Sequence, residues 1–469
     1  MKKVIILTIT IFLTHLADSA FPNFYPKLAV EPITDDPGVP LILTPLIEQN
    51  KIAEAVAAAK VYFNGFKKIE SYSGYFTVDK IFGSNLFFWF LPAANDYENA
   101  PVVLWLQGGP GASSLIGLFA ENGPFIAKSK KGLKLRPYPW SSTHSMIYID
   151  SPAGTGYSFT NGGFAQNETK VGQDLYSALT QFFTMFPNLQ KNEFYVTGES
   201  YGGKYVPAIS YTIHKNNPDA KLKINLKGLS IGNGLCNPEF QLNYGDYLYQ
   251  LGLIDLSGQQ IFKEKEKEAV TYIQNKQFDK AADVFDDLLD GDFHNRSSTF
   301  KNITGFTNYF NFLYPTDPNN LEIQEAAKYL QRDDVRAVIH VGNTSFGATS
   351  SEVEKNLKND IMQSIAPWLT ELLNNYRVLI YNGQLDIIVA YPLTENFLRN
   401  LDFNGADQYK TVQRYPWYVG SDVAGYVKQA GNLTEVLVRD AGHMVPADQP
   451  QWSFDLINRF TRNKPFHRT

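Results

Sequence analysis

A serine lies between two glycines in GESYGGKY, at residues 198–205. The run NEFYVT before this motif predicts a strand, and YGGKYVPAISYTIH after it predicts a helix that Pro207 interrupts early. A strand, a G-x-S-x-G turn and a helix are the layout of a nucleophile elbow, which carries the serine hydroxyl on a sharp turn. The amino terminus of the helix presents N–H groups that stabilise a developing oxyanion. Ser200 is therefore a candidate nucleophile, although the motif alone also fits a polar residue in an ordinary glycine-rich turn.

A serine nucleophile needs a histidine base and a carboxylate that orients the histidine. His443, in EVLVRDAGHMVP, follows Ser200 in the chain and lies directly beyond a late predicted strand. Asp386 ends a similar apolar run, and Asp440, close to His443 in the sequence, is the competing carboxylate. We prefer Asp386, because an acid on a neighbouring strand can reach across to the imidazole. The chain order Ser200, Asp386, His443 is the order that this architecture requires.

A glycine loop follows another predicted strand, in WLQGGPGASSL. Gly108 and Gly109 allow the backbone to approach a substrate oxygen closely. Where a nucleophile elbow is present, one oxyanion donor is the N–H of the residue after the nucleophile, and the second comes from an early strand-to-helix loop. This rule predicts Gly109 and Tyr201 as the two donors, with an ordinary glycine loop as the alternative.

The elements that must position these residues are short apolar runs, each ending in Gly, Asp, Asn or Ser. Helix-like stretches such as VGQDLYSALTQFFTMF lie between several of these runs, which are SMIYIDSPAG, NEFYVTGES, KGLSIGNG, RVLIYNGQLD and EVLVRDAGH. Continuous apolar strands that alternate with helices indicate an α/β fold, with a mostly parallel sheet covered by helices on both faces. Ligands bind at the carboxyl ends of such strands, where the candidate residues lie.

Three further segments differ from this pattern. Residues 1–20 contain two lysines, an apolar run too short to span a membrane and small residues, so they predict a cleaved signal peptide rather than a membrane anchor. Residues 21–70 begin rich in proline and predict an extended arm. Residues 236–345 have helical periodicity and dense charge without strand signals. We interpret them as a helical cap inserted into a domain of residues 71–469.

Composition and modification signals indicate the secretory pathway. The net charge of −5 is mild and spread along the chain, which argues against nucleic acid as a partner. Cys236 is the only cysteine and is predicted to be a buried small hydrophobe rather than a catalytic thiol. We expect a secreted or lysosomal protein with no membrane anchor after signal cleavage. Candidate glycosylation sites are the N-x-S/T sequons at Asn167, Asn295, Asn302, Asn343 and Asn432.

The chain resembles the serine carboxypeptidases from about Ser71 to Phe460. The resemblance is carried by motifs in family order, namely WLQGGPGASS, ENGPF, IDSPAGTGYS, TGESYGGKYVP, IGNG, YNGQLDIIV and GHMVP. Further runs, LFFWF, LYSALTQFF, KNITGFTNYFNFL and IHVGNTSF, are similar to the vitellogenic-like branch of the family. The resemblance implies an α/β-hydrolase core with a helical cap, an acyl-enzyme mechanism, and release of one amino acid at a time from peptide C-termini.

Carried over residue by residue, the resemblance also implies a site for the terminal carboxylate of the substrate. The residues that would hold this carboxylate or brace its hydrogen bonds are Gln107, the Gly108 backbone, Glu121, Glu199 and Trp105. Two acidic groups repel a carboxylate unless they are protonated, so the pKa values of both glutamates should be raised. We therefore expect an acid-shifted pH optimum with peptides, relaxed for esters or amides that lack the carboxylate.

Some positions depart from the commonest family pattern. Gln107 replaces a frequent asparagine, and Ala112 and Val389 stand where many members have cysteine, so the usual disulfides cannot form. We expect neither a cofactor nor a metal, because there is no H-E-x-x-H motif and no cysteine cluster.

The expected partners are peptide or protein C-termini, and a homodimer is left open. Two alternative functions also stay open. The first is acyl transfer to an alcohol or amine, against which Glu121 and Glu199 count. The second is a protective or scaffold role for other secretory proteins, and an intact triad argues against a purely binding role of that kind.

Overall fold

Apolar runs form the strands that carry the candidate residues. The computed structural model describes residues 37–62, 69–128, 132–291 and 296–466. Within these ranges, each of the five apolar runs predicted as strands forms a strand. The strands are β1 (Lys60–Val61), β2 (Ser71–Asp79), β3 (Ser84–Leu91), β4 (Val102–Leu106), β5 (Phe125–Lys128), β6 (Gly132–Leu135), β7 (Ser145–Ile149), β8 (Phe194–Glu199), β9 (Leu226–Gly232), β10 (Arg377–Gly383), β11 (Tyr415–Val419), β12 (Asp422–Ala430) and β13 (Leu433–Val438).

One large sheet contains 11 of these strands, in the order β1-β2-β3-β7-β4-β8-β9-β10-β13-β12-β11. The pairs from β7 through β4, β8, β9 and β10 to β13 are parallel, and the outer pairs on both sides are antiparallel. β4, β7 and β8 are buried at every residue, which is typical of parallel strands covered on both faces. The carboxyl ends of β4, β8, β9, β10 and β13 therefore meet at one end of the sheet.

Helices lie on both sides of this sheet. Asn167 caps the long helix after β7, because its side chain accepts a hydrogen bond from the Lys170 amide at 3.0 Å. The helices are α1 (Thr44–Glu48), α2 (Ile52–Ala59), α3 (Glu168–Met185), α4 (Gly202–Asn216), α5 (Tyr244–Gln250), α6 (Leu256–Gln274), α7 (Phe278–Leu289), α8 (Thr299–Thr304), α9 (Asn320–Leu330), α10 (Asp333–Val338), α11 (Ser351–Ile361), α12 (Ala366–Asn375), α13 (Tyr391–Arg399), α14 (Ala406–Thr411), α15 (Val445–Asp448) and α16 (Pro450–Thr461).

Pro207 does not interrupt α4, so this part of the prediction is wrong. A proline lacks the N–H that would bond to the carbonyl one turn earlier, which here belongs to Gly203. The thiol of Cys236 donates to the Gly203 carbonyl instead, at 3.3 Å. Burial raises the pKa of the Cys236 thiol to about 12, so the cysteine is the buried structural residue that the sequence predicts. The carbonyl left by the proline thus keeps a partner, and α4 runs unbroken from Gly202 to Asn216.

The segment predicted to be an extended arm is extended only in part of its described range. Leu43 lies beside β2, where its amide donates to the Tyr75 carbonyl at 2.9 Å. Residues 44–59 form α1 and α2 instead, because IAEAVAAA is rich in strong helix formers and buries Ala55 and Ala59. Residues 1–36, including the predicted signal peptide, lie outside the described residues.

The chain between β9 and β10 forms α5 to α12, of which α5 to α10 occupy residues 244–338. A loop from this segment contacts the loop after β10. The Phe312 amide donates to the Leu385 carbonyl at 2.9 Å, and the Ile387 amide donates to the Tyr309 carbonyl at 3.1 Å. Within the described ranges, no helix has both the length and the apolar character that crossing a membrane requires.

Candidate active site

Ser200 lies on a sharp turn between β8 and α4. Its backbone is left-handed, with a φ of 63°, which a residue with a side chain seldom adopts. Both flanking glycines are needed because the end of β4 presses against the turn. A Cβ atom on Gly198 would lie 2.6 Å from the Leu106 carbonyl oxygen, and one on Gly202 would lie 2.9 Å from it. The motif is thus the sequence that this strained turn requires.

The Ser200 side chain is held in place through its backbone. Its amide donates to the Gly232 carbonyl at 3.1 Å, and its own carbonyl accepts from the Leu235 amide at 3.0 Å. Ser200 Oγ is buried and has no hydrogen-bond partner among the described residues. The hydroxyl therefore has a fixed position and is available to react.

Asp386 and His443 are brought together by two adjacent strands. Asp386 follows β10, His443 follows β13, and these strands are parallel neighbours. His443 Nδ1 donates to Asp386 Oδ2 at 3.0 Å, and both side chains are fully buried. The competing carboxylate, Asp440, is 61% exposed and pairs with Arg439 at 3.8 Å. Because Nδ1 carries the proton, Nε2 of the same ring is the atom that can accept one.

Asn233 orients the Asp386 carboxylate. Its side-chain amide donates to Asp386 Oδ2 at 2.7 Å, and the amides of Ile388 and Val389 donate to the same carboxylate at 3.1 and 3.2 Å. Asn233 directly follows Gly232, which accepts the Ser200 amide, so this residue connects the elbow to the Asp386 loop. No role for Asn233 was predicted from the sequence. The feature that could have indicated a role is its position in IGNG, just past the carboxyl end of β9.

Phe310, from the long segment between β9 and β10, packs against the imidazole of His443. The two rings are stacked at a centroid distance of 5.1 Å and an angle of 17°. The Phe310 carbonyl also accepts from the His443 amide at 2.7 Å. This contact was not predicted, because the two residues are far apart in the sequence and nothing near either one indicates the pairing.

The glycine loop after β4 lies against the elbow. A Cβ atom on Gly108 would lie 2.5 Å from the Tyr201 amide nitrogen and 2.6 Å from Ser200 Cβ, so this position has room only for glycine. Gly109 follows in a left-handed conformation, with a φ of 105°. The structure thus places the loop that carries Gly109 beside the amide of Tyr201, as the predicted pair of oxyanion donors requires.

The residues predicted to bind the substrate carboxylate form one buried cluster. Trp105 Nε1 donates to Gln107 Oε1 at 2.8 Å, which turns the amide nitrogen of Gln107 toward the acids. That nitrogen donates to Glu121 Oε1 at 2.9 Å and to Glu199 Oε1 at 3.2 Å. Burial raises the pKa of Glu121. The two carboxyl groups lie close enough to share a hydrogen bond, which requires one of them to carry a proton.

A π-helical turn, Gly117–Glu121, positions Glu121 in this cluster. A Cβ atom on Gly117 would lie 2.2 Å from Trp105 Nε1, so glycine is required for the tryptophan to reach Gln107. Glu199 is supplied from the other side as the last residue of β8. The requirement for glycine at position 117 was not predicted, because no motif marks this residue.

Four of the predicted sequons fall on described residues. Asn167, Asn302, Asn343 and Asn432 are exposed. Asn167 uses its side-chain oxygen to cap α3, which leaves its amide nitrogen available for a glycan. Asn295 lies outside the described residues.

The arrangement of sheet, elbow and acid–histidine pair is that of the α/β-hydrolase fold. The crystal structure of Kex1(delta)p, a prohormone-processing carboxypeptidase from Saccharomyces cerevisiae, shares this fold with a TM-score of 0.75. It is 23% identical in sequence, and the match covers 87% of this chain and 96% of that one.

Residues 63–463 match the model of the serine carboxypeptidase family, peptidase S10, and the chain belongs to this family. The venom serine carboxypeptidase of Apis mellifera is 55% identical over 99% of this chain and 100% of that protein. The probable serine carboxypeptidase CPVL of Homo sapiens is 47% identical over 98% and 97% of the two chains. The vitellogenic carboxypeptidase of Aedes aegypti is 49% identical over 90% of each chain. The protein is therefore a serine-type carboxypeptidase.

Proposed function

We propose that this carboxypeptidase works through Ser200 as nucleophile, His443 as general base and acid, and Asp386 as the residue that orients His443. The observation that carries the proposal is the 3.0 Å hydrogen bond from His443 Nδ1 to Asp386, at the end of the sheet where the left-handed turn carries Ser200. This bond fixes the tautomer in which Nε2 can take a proton.

The reaction proceeds in two halves. Ser200 Oγ attacks the carbonyl of the last peptide bond while His443 Nε2 takes the hydroxyl proton, and Asp386 stabilises the imidazolium. The amides of Gly109 and Tyr201 donate to the oxyanion of the tetrahedral intermediate. His443 then gives its proton to the leaving nitrogen, the C-terminal amino acid departs, and an acyl-enzyme remains. Water, deprotonated by His443, then attacks the acyl carbonyl. The bond to Ser200 Oγ breaks, Oγ takes the proton back from His443, and the shortened peptide leaves with a new terminal carboxylate.

In this proposal the buried acids select terminal residues and give the enzyme an acid-shifted pH optimum. With a proton held in the pair, Glu121 and Glu199 donate a hydrogen bond to the terminal carboxylate of the substrate, and Gln107 keeps both acids in place. Once both acids are ionised, they repel that carboxylate. Binding of peptide acids therefore weakens as pH rises through the raised pKa of Glu121.

The nucleophile is tested by labelling the protein with a fluorophosphonate and mapping the adduct by mass spectrometry. We expect one adduct, on the peptide that contains Ser200, and loss of both the adduct and peptide hydrolysis in Ser200→Ala. Ser210→Ala is the matched control, because Ser210 is a buried serine on the same helix. An adduct on another serine, or hydrolysis by Ser200→Ala close to that of the wild type, would contradict the proposal.

We also propose that the chain enters the secretory pathway through residues 1–20, is glycosylated at its sequons and is then secreted or delivered to lysosomes. In this proposal residues 71–469 form the catalytic domain, and the helices within about residues 236–345 form its cap. The exposure of Asn167, Asn302, Asn343 and Asn432 supports glycosylation. Sequencing of the mature amino terminus and the mass lost on treatment with an N-glycosidase test these points. An intact Met1 together with an unchanged mass would contradict them.

A further inference from the structure

A second buried cluster of charged residues lies behind the nucleophile turn, and the mechanism above does not use it. Lys204 lies in the first turn of α4, Asp360 in the last turn of α11, and Glu168 at the start of α3. The side chains of Lys204 and Asp360 are 1% and 6% exposed. Charged side chains are rarely this buried unless they are paired, so the contacts of this cluster decide what it does.

The Asp360 carboxylate accepts hydrogen bonds from three donors, which belong to Tyr201, Lys204 and Glu168. Asp360 Oδ2 accepts from the Tyr201 hydroxyl at 2.8 Å and from Lys204 Nζ at 3.0 Å. Lys204 Nζ also donates to the backbone carbonyl of Asp360. Asp360 Oδ1 accepts from the Glu168 amide at 3.4 Å. One residue of α11 therefore holds the first turn of α4 at two points.

These two points belong to Tyr201, whose amide is proposed to bind the oxyanion, and to Lys204, three residues further along α4. Tyr201 directly follows Ser200, and its carbonyl accepts from the Lys204 amide at 2.9 Å. A shift of the Tyr201 side chain would therefore also move its backbone. An oxyanion donor acts only when its N–H already points at the position of the developing charge.

A cavity adjoins the ion pair of this network. A cavity of about 200 Å³ borders Lys204, Asp360 and Glu168, and Trp368 lines its far wall. Both carboxyl oxygens of Glu168 are buried and have no hydrogen-bond partner in the described part of the chain. The Tyr201 ring itself is fully buried and packs edge-on against the Tyr205 ring at a centroid distance of 5.2 Å, and its bond to Asp360 fixes the direction of its hydroxyl.

We propose that Asp360 and Lys204 are positioning residues, which hold the Tyr201 amide in the oxyanion site through the Tyr201 hydroxyl. The inference rests on the proposed Ser200 mechanism. It assigns the network to catalysis of the acyl-transfer steps rather than to substrate binding.

The test compares Tyr201→Phe with Tyr205→Phe, each counted per active site by the burst from an activated ester. Tyr205 is the matched control, since it is a buried tyrosine one turn further along α4 whose hydroxyl makes no hydrogen bond to a side chain of the described residues. We expect kcat per active site to fall about tenfold in Tyr201→Phe, with KM and Tm little changed, because small displacements of a catalytic group are costly. Affinity for a peptide aldehyde, which forms a tetrahedral adduct, should fall by the same factor. Tyr205→Phe should match the wild type.

A second variant, Asp360→Asn, keeps an acceptor for the Tyr201 hydroxyl but removes the charge that holds Lys204. We expect its kcat per active site to fall at least as far. An unchanged kcat per active site in the folded Tyr201→Phe protein, or an equal fall in Tyr205→Phe, would overturn the inference, as would Asp360→Asn at the wild-type value. A wild-type protein that gives no burst would instead overturn the proposed Ser200 mechanism, so the two failures are distinguishable.

Discussion

The residues on either side of Ser200 point into two buried acidic clusters that are built differently. Glu199 joins the front cluster, in which the neutral amide of Gln107 bridges two carboxyl groups. Tyr201 joins the rear cluster, in which the ammonium of Lys204 is paired with Asp360. Both clusters are buried, and in the rear one a cation, the Lys204 ammonium, is in direct contact with the acid.

This difference assigns the clusters different tasks. A pair of acids without a cation keeps its geometry by keeping a proton, so the front cluster changes with pH and can donate to a substrate carboxylate. An ion pair needs no shared proton to hold its geometry. The rear cluster therefore suits a constant task, namely support of the turn, whereas the front cluster suits recognition.

The largest effect on stability is expected from breaking the rear pair. Lys204→Met leaves the buried Asp360 carboxylate without its cation, which should lower the free energy of unfolding by about 3–5 kcal/mol. Urea unfolding at about pH 5 measures this. Lys215→Met is the control, because Lys215 lies near the end of the same helix, is 49% exposed and pairs with Glu371 at the surface. Equal effects of the two changes would contradict the distinction between the clusters.

A smaller effect on stability, of opposite sign, is expected in the front cluster. Because burial raises the pKa of Glu121, the folded protein holds this proton at a pH where the unfolded chain has released it. Stability should thus fall as pH rises above the usual range of a glutamate. Glu121→Gln removes this loss and should stabilise the protein at pH 7, with no gain at pH 4. A gain of equal size at both pH values would show that protonation is not the cause.

The smallest effect is expected at Cys236, which lies behind the elbow without carrying charge. Cys236→Ala removes a weak donor to the Gly203 carbonyl and should lower the free energy of unfolding by about 0.5 kcal/mol, with kcat per active site unchanged. Urea unfolding and active-site titration measure the two quantities. A large loss of kcat would mean that the thiol, and not only the ion pair, positions the turn.

The sequence predicted the positions of the candidate residues better than the contacts that hold them. Ser200, Asp386 and His443 could be predicted because each follows an apolar run, and the carboxyl ends of parallel strands converge. Asn233, Phe310 and Asp360 were not assigned roles. Each acts on a residue that is distant in the chain, and a single sequence does not show which distant residues come into contact.

Two local predictions are wrong, one because a tertiary contact replaces a local rule and one because a local helix signal outweighs the prolines. Pro207 removes a hydrogen bond from α4, but Cys236 restores a partner to the carbonyl that loses it. The arm was judged from its prolines, although IAEAVAAA within it has the composition of a helix and forms α2. Residues 1–36 lie outside the described range, so the signal peptide stays a prediction.

The most direct test of the account is the pH dependence of cleavage of a blocked dipeptide and of its C-terminal amide, between about pH 4 and 8. For the wild type, kcat/KM for the acid should fall as pH rises, while kcat/KM for the amide should not fall in the same range. Glu199→Gln should reduce the preference for the acid by about tenfold, because one partner of the shared proton is lost. Glu193→Gln, an exposed acid just before the same strand, should behave like the wild type. Identical pH profiles for acid and amide in the wild type would contradict the claim that the front cluster recognises the substrate carboxylate through a held proton.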